Sequence, residues 1–337
     1  MELFRFFLFF FLGVAGLYYG AEALVRGSVR ISQMLGISPM IMGLTVVAFG
    51  TSAPEFAVSL VAAIQHSRSI AIGNIIGSNI ANIGLIVGLT AFLHPLVVNR
   101  RLLFKEAPFL VLTAFLAYGL FANNLLSRAE GGILLILMIF FLTYMIRIAR
   151  REHAAFQAEE ASQKMVQAYE GQFHKIALIG HIYRKYGRRG SFVLHIAVVI
   201  VGILFLTLGS NWLIVAAKIF GRMLGISEIV IGLTIVAVGT SLPELATSLV
   251  SAFKKEADIS LGNIIGSNIF NTLFVLGAIG LLNPVTIDAS VGQILVPIMI
   301  GFTLIFVLFM YTGRRIVRWE AGVLFLSYVV FINYVYF

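Results

Sequence analysis

The chain has 337 residues, 60% of them hydrophobic and 12% charged, proportions that exclude an ordinary soluble globular protein and fit a polytopic membrane protein. A net charge of +9 would point to nucleic acid in a soluble protein, but in a membrane chain the basic residues report topology first, and no nucleic-acid partner is expected. The absence of cysteine excludes disulfides, thiolate metal sites and thiol redox chemistry.

Apolar runs long enough to cross a hydrocarbon core predict ten spans. In chain order they are Leu3–Ala23, Met40–Ile64, Ile70–Leu93, Pro108–Leu126, Ala129–Ile146, Phe192–Ala216, Ile229–Phe253, Ile259–Leu282, Gln293–Met310 and Ala321–Phe337. The first lacks the basic leader and small-residue cleavage site of a signal peptide, so it is read as a span. Placing both termini outside leaves Arg5, Arg68, Arg128, Lys218 and Arg222 on the outer side and the rest of the 24 Lys and Arg on the inner side, a strong positive-inside bias. Between the fifth and sixth spans, residues 147–190 form the one long polar stretch, expected to be a cytoplasmic helical linker joining a first five-helix unit, 1–146, to a second, 191–337.

The second span reads "GLTVVAFGTSAPEFAVSLVAAI" and the seventh "GLTIVAVGTSLPELATSLVSAF". They belong to a longer repeat: Leu35–Val98 aligns with Leu224–Ile287 at a constant offset, with half of the positions identical. Five spans per copy is an odd number, so the second copy enters the membrane inverted. The expected fold is an all-α polytopic membrane protein of ten transmembrane helices in two inverted five-helix repeats, an arrangement that puts substrate sites near the midplane between discontinuous helices.

Of the 15 acidic residues, only Glu55 and Glu244 fall deep within apolar runs. A charged side chain at the centre of a span costs about 2.5–3.5 kcal/mol on insertion scales, so such acids line pathways and have partners. No Lys or Arg lies at matching depth, which leaves a mobile cation or a proton as the partner. Pro54 and Pro243 remove the N–H that would bond the carbonyls of Gly50 and Gly239, opening each helix beside its glutamate. Thr51, Ser52, Thr240 and Ser241 add hydroxyls at that level. The next span of each half carries "GNIIGSNIANIGLIVG" or "GNIIGSNIFNTLFVLG", where Asn74, Ser78 and Asn82, and Asn263, Ser267 and Asn271, recur every four residues on one helix face. Gly73 and Gly77, with Gly262 and Gly266, allow close helix contact.

The doubled pattern of "GTSAPE" with "GNIIGSNIAN" and "GTSLPE" with "GNIIGSNIFN" resembles the alpha-repeats of the cation/Ca2+ exchanger superfamily, in particular the sodium/calcium exchangers. The resemblance covers essentially the whole ten-span layout. It implies antiport of Ca2+ and Na+ by alternating access, with Ca2+ export, no cofactor, and the first and sixth spans sliding across the core. It implies as ion ligands Glu55, Glu244, Thr51, Ser52, Ser78, Asn82, Thr240, Ser241, Ser267 and Asn271, with the backbone carbonyls of Ala48 and Ala237. Asn271 departs from several members, including the potassium-dependent branch, which carry Asp there; two carboxylates then balance one Ca2+. The implied setting is a prokaryotic inner membrane. Glu22, aligned with Asn211, and the histidines, which have no repeat-matched partners, read as interfacial or linker residues.

Ca2+/H+ exchange remains open on these residues, because two carboxylates can carry two protons. A membrane-embedded enzyme fits less well, since catalysis needs distinct acid, base and nucleophile roles rather than duplicated ones. A channel would need a continuous pore.

Overall fold

In lipid every backbone polar group must find a partner within the protein, and a helix achieves this inside one segment. The computed structural model describes residues 2–65, 67–167, 177–223, 239–288 and 291–336, with side chains at 68, 69, 157–189 and 336 set aside. Among the described residues it is all-helical apart from four two-residue strands. The helices are α1 (Glu2–Leu35), α2 (Pro39–Thr51), α3 (Ala53–Ile64), α4 (Ile70–Leu93), α5 (Leu102–Leu120), α6 (Arg128–Gln167), α7 (Ala177–Met223), α8 (Leu242–Phe253), α9 (Ala257–Leu282), α10 (Val291–Tyr311) and α11 (Arg318–Tyr336). Among the described residues seven are long and apolar enough to cross a membrane, and α2 with α3 makes an eighth as a bent pair. Ala237, the first part of the expected span Ile229–Phe253, residues 168–176 of the expected linker and Phe337 lie outside the described residues.

The helix boundaries differ from the sequence expectation in several places. Helix α1 continues to Leu35 rather than ending at Ala23, because Glu22 is paired with Arg26 and Lys254 and the next turns bury Gly27, Ser28, Ile31 and Ser32. Helix α5 starts at Leu102, not Pro108: a π-helical turn over Leu102–Glu106 precedes the proline, and the buried Glu106 pairs with Arg101 at 3.2 Å. The same turn recurs at the repeat-equivalent position, Val291–Leu295, ahead of Pro297. Helices α6 and α7 run unbroken into the expected linker, to Gln167 and from Ala177.

Strands Leu96–Val97 and Arg315–Ile316 pair antiparallel at one end of α5, and Leu125–Leu126 with Val285–Thr286 at its other end. The first end also holds Asn99 with Asp258, Lys254 with Glu22, and a knot around the α1–α2 turn. In that knot Ser38 N–H donates to Glu152 Oε2 at 2.8 Å, Arg101 pairs with Glu152, and His153 meets the Leu35 carbonyl. Phe156 covers Gly36, whose φ of +61° suits glycine and leaves no room for a Cβ.

Two glycine seams set the packing. Helices α1 and α7 lie antiparallel, and a Cβ on Gly16 or Gly209 would come within 2.9 Å or 2.6 Å of the facing backbone. Helix α9 lies against α2: a Cβ on Gly262 would meet the Met40 carbonyl at 2.9 Å, and one on Gly266 the Leu44 carbonyl at 2.7 Å. Small residues thus let backbones touch where lipid supplies no hydrophobic drive for association.

Candidate functional site

At the junction of α2 and α3 the chain bends by 43°, with Ser52 between the two helices and Pro54 in the first turn of α3. Ser241 takes nearly the same backbone conformation ahead of α8, φ −87° and ψ 5° against −83° and 6° for Ser52, with Pro243 next in line. Each proline starts a helix that it could not continue. Glu55 and Glu244 therefore sit in the first turns of α3 and α8, both 0% exposed, where helix dipoles favour negative charge.

Hydrogen bonds around them cross between the two halves. Ser241 donates to Glu55 Oε1 at 3.1 Å, and Ser52 donates to Glu244 Oε1 at 3.0 Å. Ser267 reaches the same Glu244 oxygen at 3.5 Å, while Ser78 lies 3.4 Å from the Ser241 hydroxyl. Thr51 donates to Asn263 Oδ1 at 3.0 Å, and Thr240 to Asn74 Oδ1 at 3.5 Å. Asn74 in turn donates to Ser59 at 2.9 Å and to the Glu55 backbone carbonyl at 3.4 Å. Among the described residues no Lys or Arg pairs with either glutamate.

Among the buried polar atoms without a hydrogen-bond partner are four oxygens of the expected ligand set, Oε2 of Glu55, Oε2 of Glu244, Oδ1 of Asn82 and Oδ1 of Asn271, together with the Asn263 Nδ2 donor. All four are acceptors, and an unpaired buried acceptor costs about 1–3 kcal/mol, more when charged. A cation, which accepts nothing and offers positive charge, is the kind of group that satisfies such acceptors. No three His, Cys, Asp or Glu side chains converge among the described residues. A cation here meets two carboxylates and neutral oxygens, a hard donor set suited to Ca2+ and Na+ rather than to a soft transition metal.

The structure gathers these residues into two hydrogen-bonded clusters that cross between the halves, Glu55 with Ser241, Ser78 and, through Asn74, Thr240, and Glu244 with Ser52, Ser267 and Thr51. Asn82 and Asn271 stand one helical turn beyond Ser78 and Ser267, each opening a π-helical turn, a distortion common at functional sites. The Ala48 carbonyl accepts the Ser52 N–H at 3.0 Å and the Thr51 hydroxyl at 3.4 Å, and Ala237 lies outside the described residues. Of the two proline-freed carbonyls, that of Gly239 accepts a 2.6 Å bond from Ser210 on α7; the repeat-equivalent of Ser210 is Ala21, which has no hydroxyl. Sequence reasoning passed over Asn79 and Asn268, which fall one residue off the four-residue stripe. Their signal was the identity of "GNIIGSNI" in both copies.

The model of the family described as sodium/calcium exchanger protein matches residues 5–147 and 194–337. The sodium/calcium exchanger MaX1 of Methanosarcina acetivorans is 34% identical over 97% of this chain and 97% of its own length. The inner membrane protein YrbG of Escherichia coli is 36% identical over 82% of this chain and 79% of its own. Among solved structures, the sodium-calcium exchanger NCX_Mj soaked with 10 mM Na+ and zero Ca2+ superposes with a TM-score of 0.80 at 30% identity, covering 99% of each chain.

Proposed function

Because the chain belongs to the sodium/calcium exchanger protein family, we propose that it is a secondary active antiporter that exchanges Ca2+ for Na+ by alternating access and exports Ca2+. The observation that carries this reading is the pair of buried glutamates, each bonded by a serine of the other half and each keeping one oxygen without a donor. The ligands of the transported ions are Glu55, Glu244, Thr51, Ser52, Ser78, Asn82, Thr240, Ser241, Ser267 and Asn271, with the carbonyls of Ala48 and Ala237. Two carboxylates neutralise one Ca2+, and Na+ ions compete for the same oxygens, so the two substrates exclude one another. Hydroxyls that donate to a carboxylate keep their lone pairs for the cation. The α1–α7 pair, seamed by glycines, moves as one body past the site to change which side it faces.

In this reading α8 with the residues before it, and α11, complete ten spans in two inverted repeats, 1–146 and 191–337, joined by the linker at 147–190. The protein lies in a prokaryotic inner membrane with both termini outside. The natural chain contains no cysteine, so single-cysteine labelling reports sidedness without background. A membrane-impermeant maleimide should reach Lys164→Cys from the cytoplasm and Ala122→Cys from outside; the reverse pattern overturns the orientation.

Calorimetric titration of the purified protein tests the ligand assignment. Ca2+ should bind at one site per chain and Na+ should displace it competitively. Ca2+ binding that saturating Na+ leaves untouched contradicts a shared site.

A further inference from the structure

The unpaired carbonyl oxygens of Asn82 and Asn271 raise a question that the ligand set leaves open. An amide rotates by half a turn at little steric cost, exchanging its oxygen for an NH2 group that repels a cation. Something must hold the oxygen in place.

The hydrogen bonds identify what does. Asn82 Nδ2 donates to Asn268 Oδ1 at 2.9 Å, and Asn271 Nδ2 donates to Asn79 Oδ1 at 3.2 Å, a reciprocal pair across the two repeats. Asn268 cannot turn over, because its own Nδ2 donates at 3.2 Å to the backbone carbonyl of Asn79, which only accepts. Asn79 is held by donation to Thr272 Oγ1 at 3.0 Å and to the Met299 sulfur at 3.6 Å. Each chain of bonds runs from an accepting group through an outer asparagine to a ligand asparagine, whose NH2 gives one of its hydrogens to that outer asparagine. The remaining atom is the carbonyl oxygen, buried and free of donors in both cases.

We propose that Asn79 and Asn268 are positioning residues that fix the amides of Asn271 and Asn82 with their oxygens available to the transported cation. The inference rests on the exchanger reading above and adds the two residues that make its neutral ligands work. It also accounts for Asn at 271: an ionised carboxylate there has no hydrogen to give Asn79 Oδ1, and two acceptors would face one another. The amide is the side chain that this second layer is built to receive. Partners that orient ligands behave this way in metal sites generally, where their loss lowers affinity by about 10-fold to 100-fold.

Two double-mutant cycles test it, read as Ca2+ affinity of the purified full-length protein by calorimetry. Asn79→Leu should weaken Ca2+ binding by about 10-fold to 100-fold in the parent and have no further effect in an Asn271→Ala background. Asn268→Leu should behave likewise with Asn82→Ala. A purely structural role predicts the same loss with or without the ligand asparagine; that additive result, or unchanged affinity of Asn79→Leu and Asn268→Leu in the parent, overturns the proposal. If Asn79→Leu does not yield folded protein, Asn79→Ala takes its place, and the Asn268 cycle stands independently. Glu55→Gln is titrated alongside: full Ca2+ binding by that variant sinks the site assignment itself, whereas loss of binding there with additive cycles sinks only the positioning role.

Discussion

Glu55→Gln and Glu244→Gln should each abolish Na+-driven Ca2+ transport while the protein still inserts and folds. Glutamine keeps the shape of the side chain and an oxygen that can accept the Ser241 or Ser52 hydroxyl, so the crossed bonds survive. What changes is the second atom. Oε2, buried and without a donor in both glutamates, becomes an NH2 group that points hydrogens at the cation, and one unit of negative charge is gone. Leaving a buried charge uncompensated costs about 3–5 kcal/mol, which corresponds to a loss of more than about 100-fold in affinity. The two variants should be equally damaged, because each glutamate has an equivalent neighbourhood in its own repeat. Vesicle flux and size-exclusion profiles check this together; normal transport by either variant removes that glutamate from the site.

Gly266→Val should disrupt the site from behind. A Cβ there would stand 2.7 Å from the Leu44 carbonyl and 2.8 Å from the Ala48 Cβ. Neither obstacle is the end of a flexible side chain, so α9 must move away from α2. Overpacking usually costs about 1–3 kcal/mol, and rigid backbone on both sides puts this substitution at the upper end or beyond. Since α2 carries Thr51 and α9 carries Ser267, the displacement also pulls apart two residues whose hydroxyls lie 3.4 Å apart. The same change at Gly301, where nothing lies within 4 Å of a built Cβ, is the control. Melting of the detergent-purified protein should fall by several degrees in Gly266→Val and barely in Gly301→Val, with Ca2+ binding lost in the first alone. Equal behaviour of the two variants would show that the seam is not tight.

The glutamates were legible in the sequence because a deep acid in an apolar run is costly and this one occurs twice. The helix break was legible because proline removes a specific hydrogen bond, and the structure bends at Ser52, two residues before Pro54. Other features were hidden by the same rules that revealed these. Glu22, Arg26 and Arg30 read as the end of a span, yet α1 continues because Glu22 finds partners within reach. Glu106 and Glu320 fall outside the deep apolar runs, yet both are buried: Arg101 pairs with the first, while the Thr312 hydroxyl and the Val317 N–H donate to the second. Such pairings depend on tertiary neighbours and leave no local mark. Asn79 and Asn268 were missed for a different reason. Helical periodicity marks residues that share a face, whereas these two work one position to the side, against the opposite repeat.

The most direct measurement of the central claim is radiolabelled Ca2+ uptake into proteoliposomes loaded with Na+, K+ or acid and diluted into medium without them. One shared site for Ca2+ and Na+, holding two carboxylates and no third acid, predicts uptake driven by the outward Na+ gradient, with no requirement for K+ and none driven by the proton gradient alone. Uptake that follows the proton gradient and ignores Na+ would contradict it.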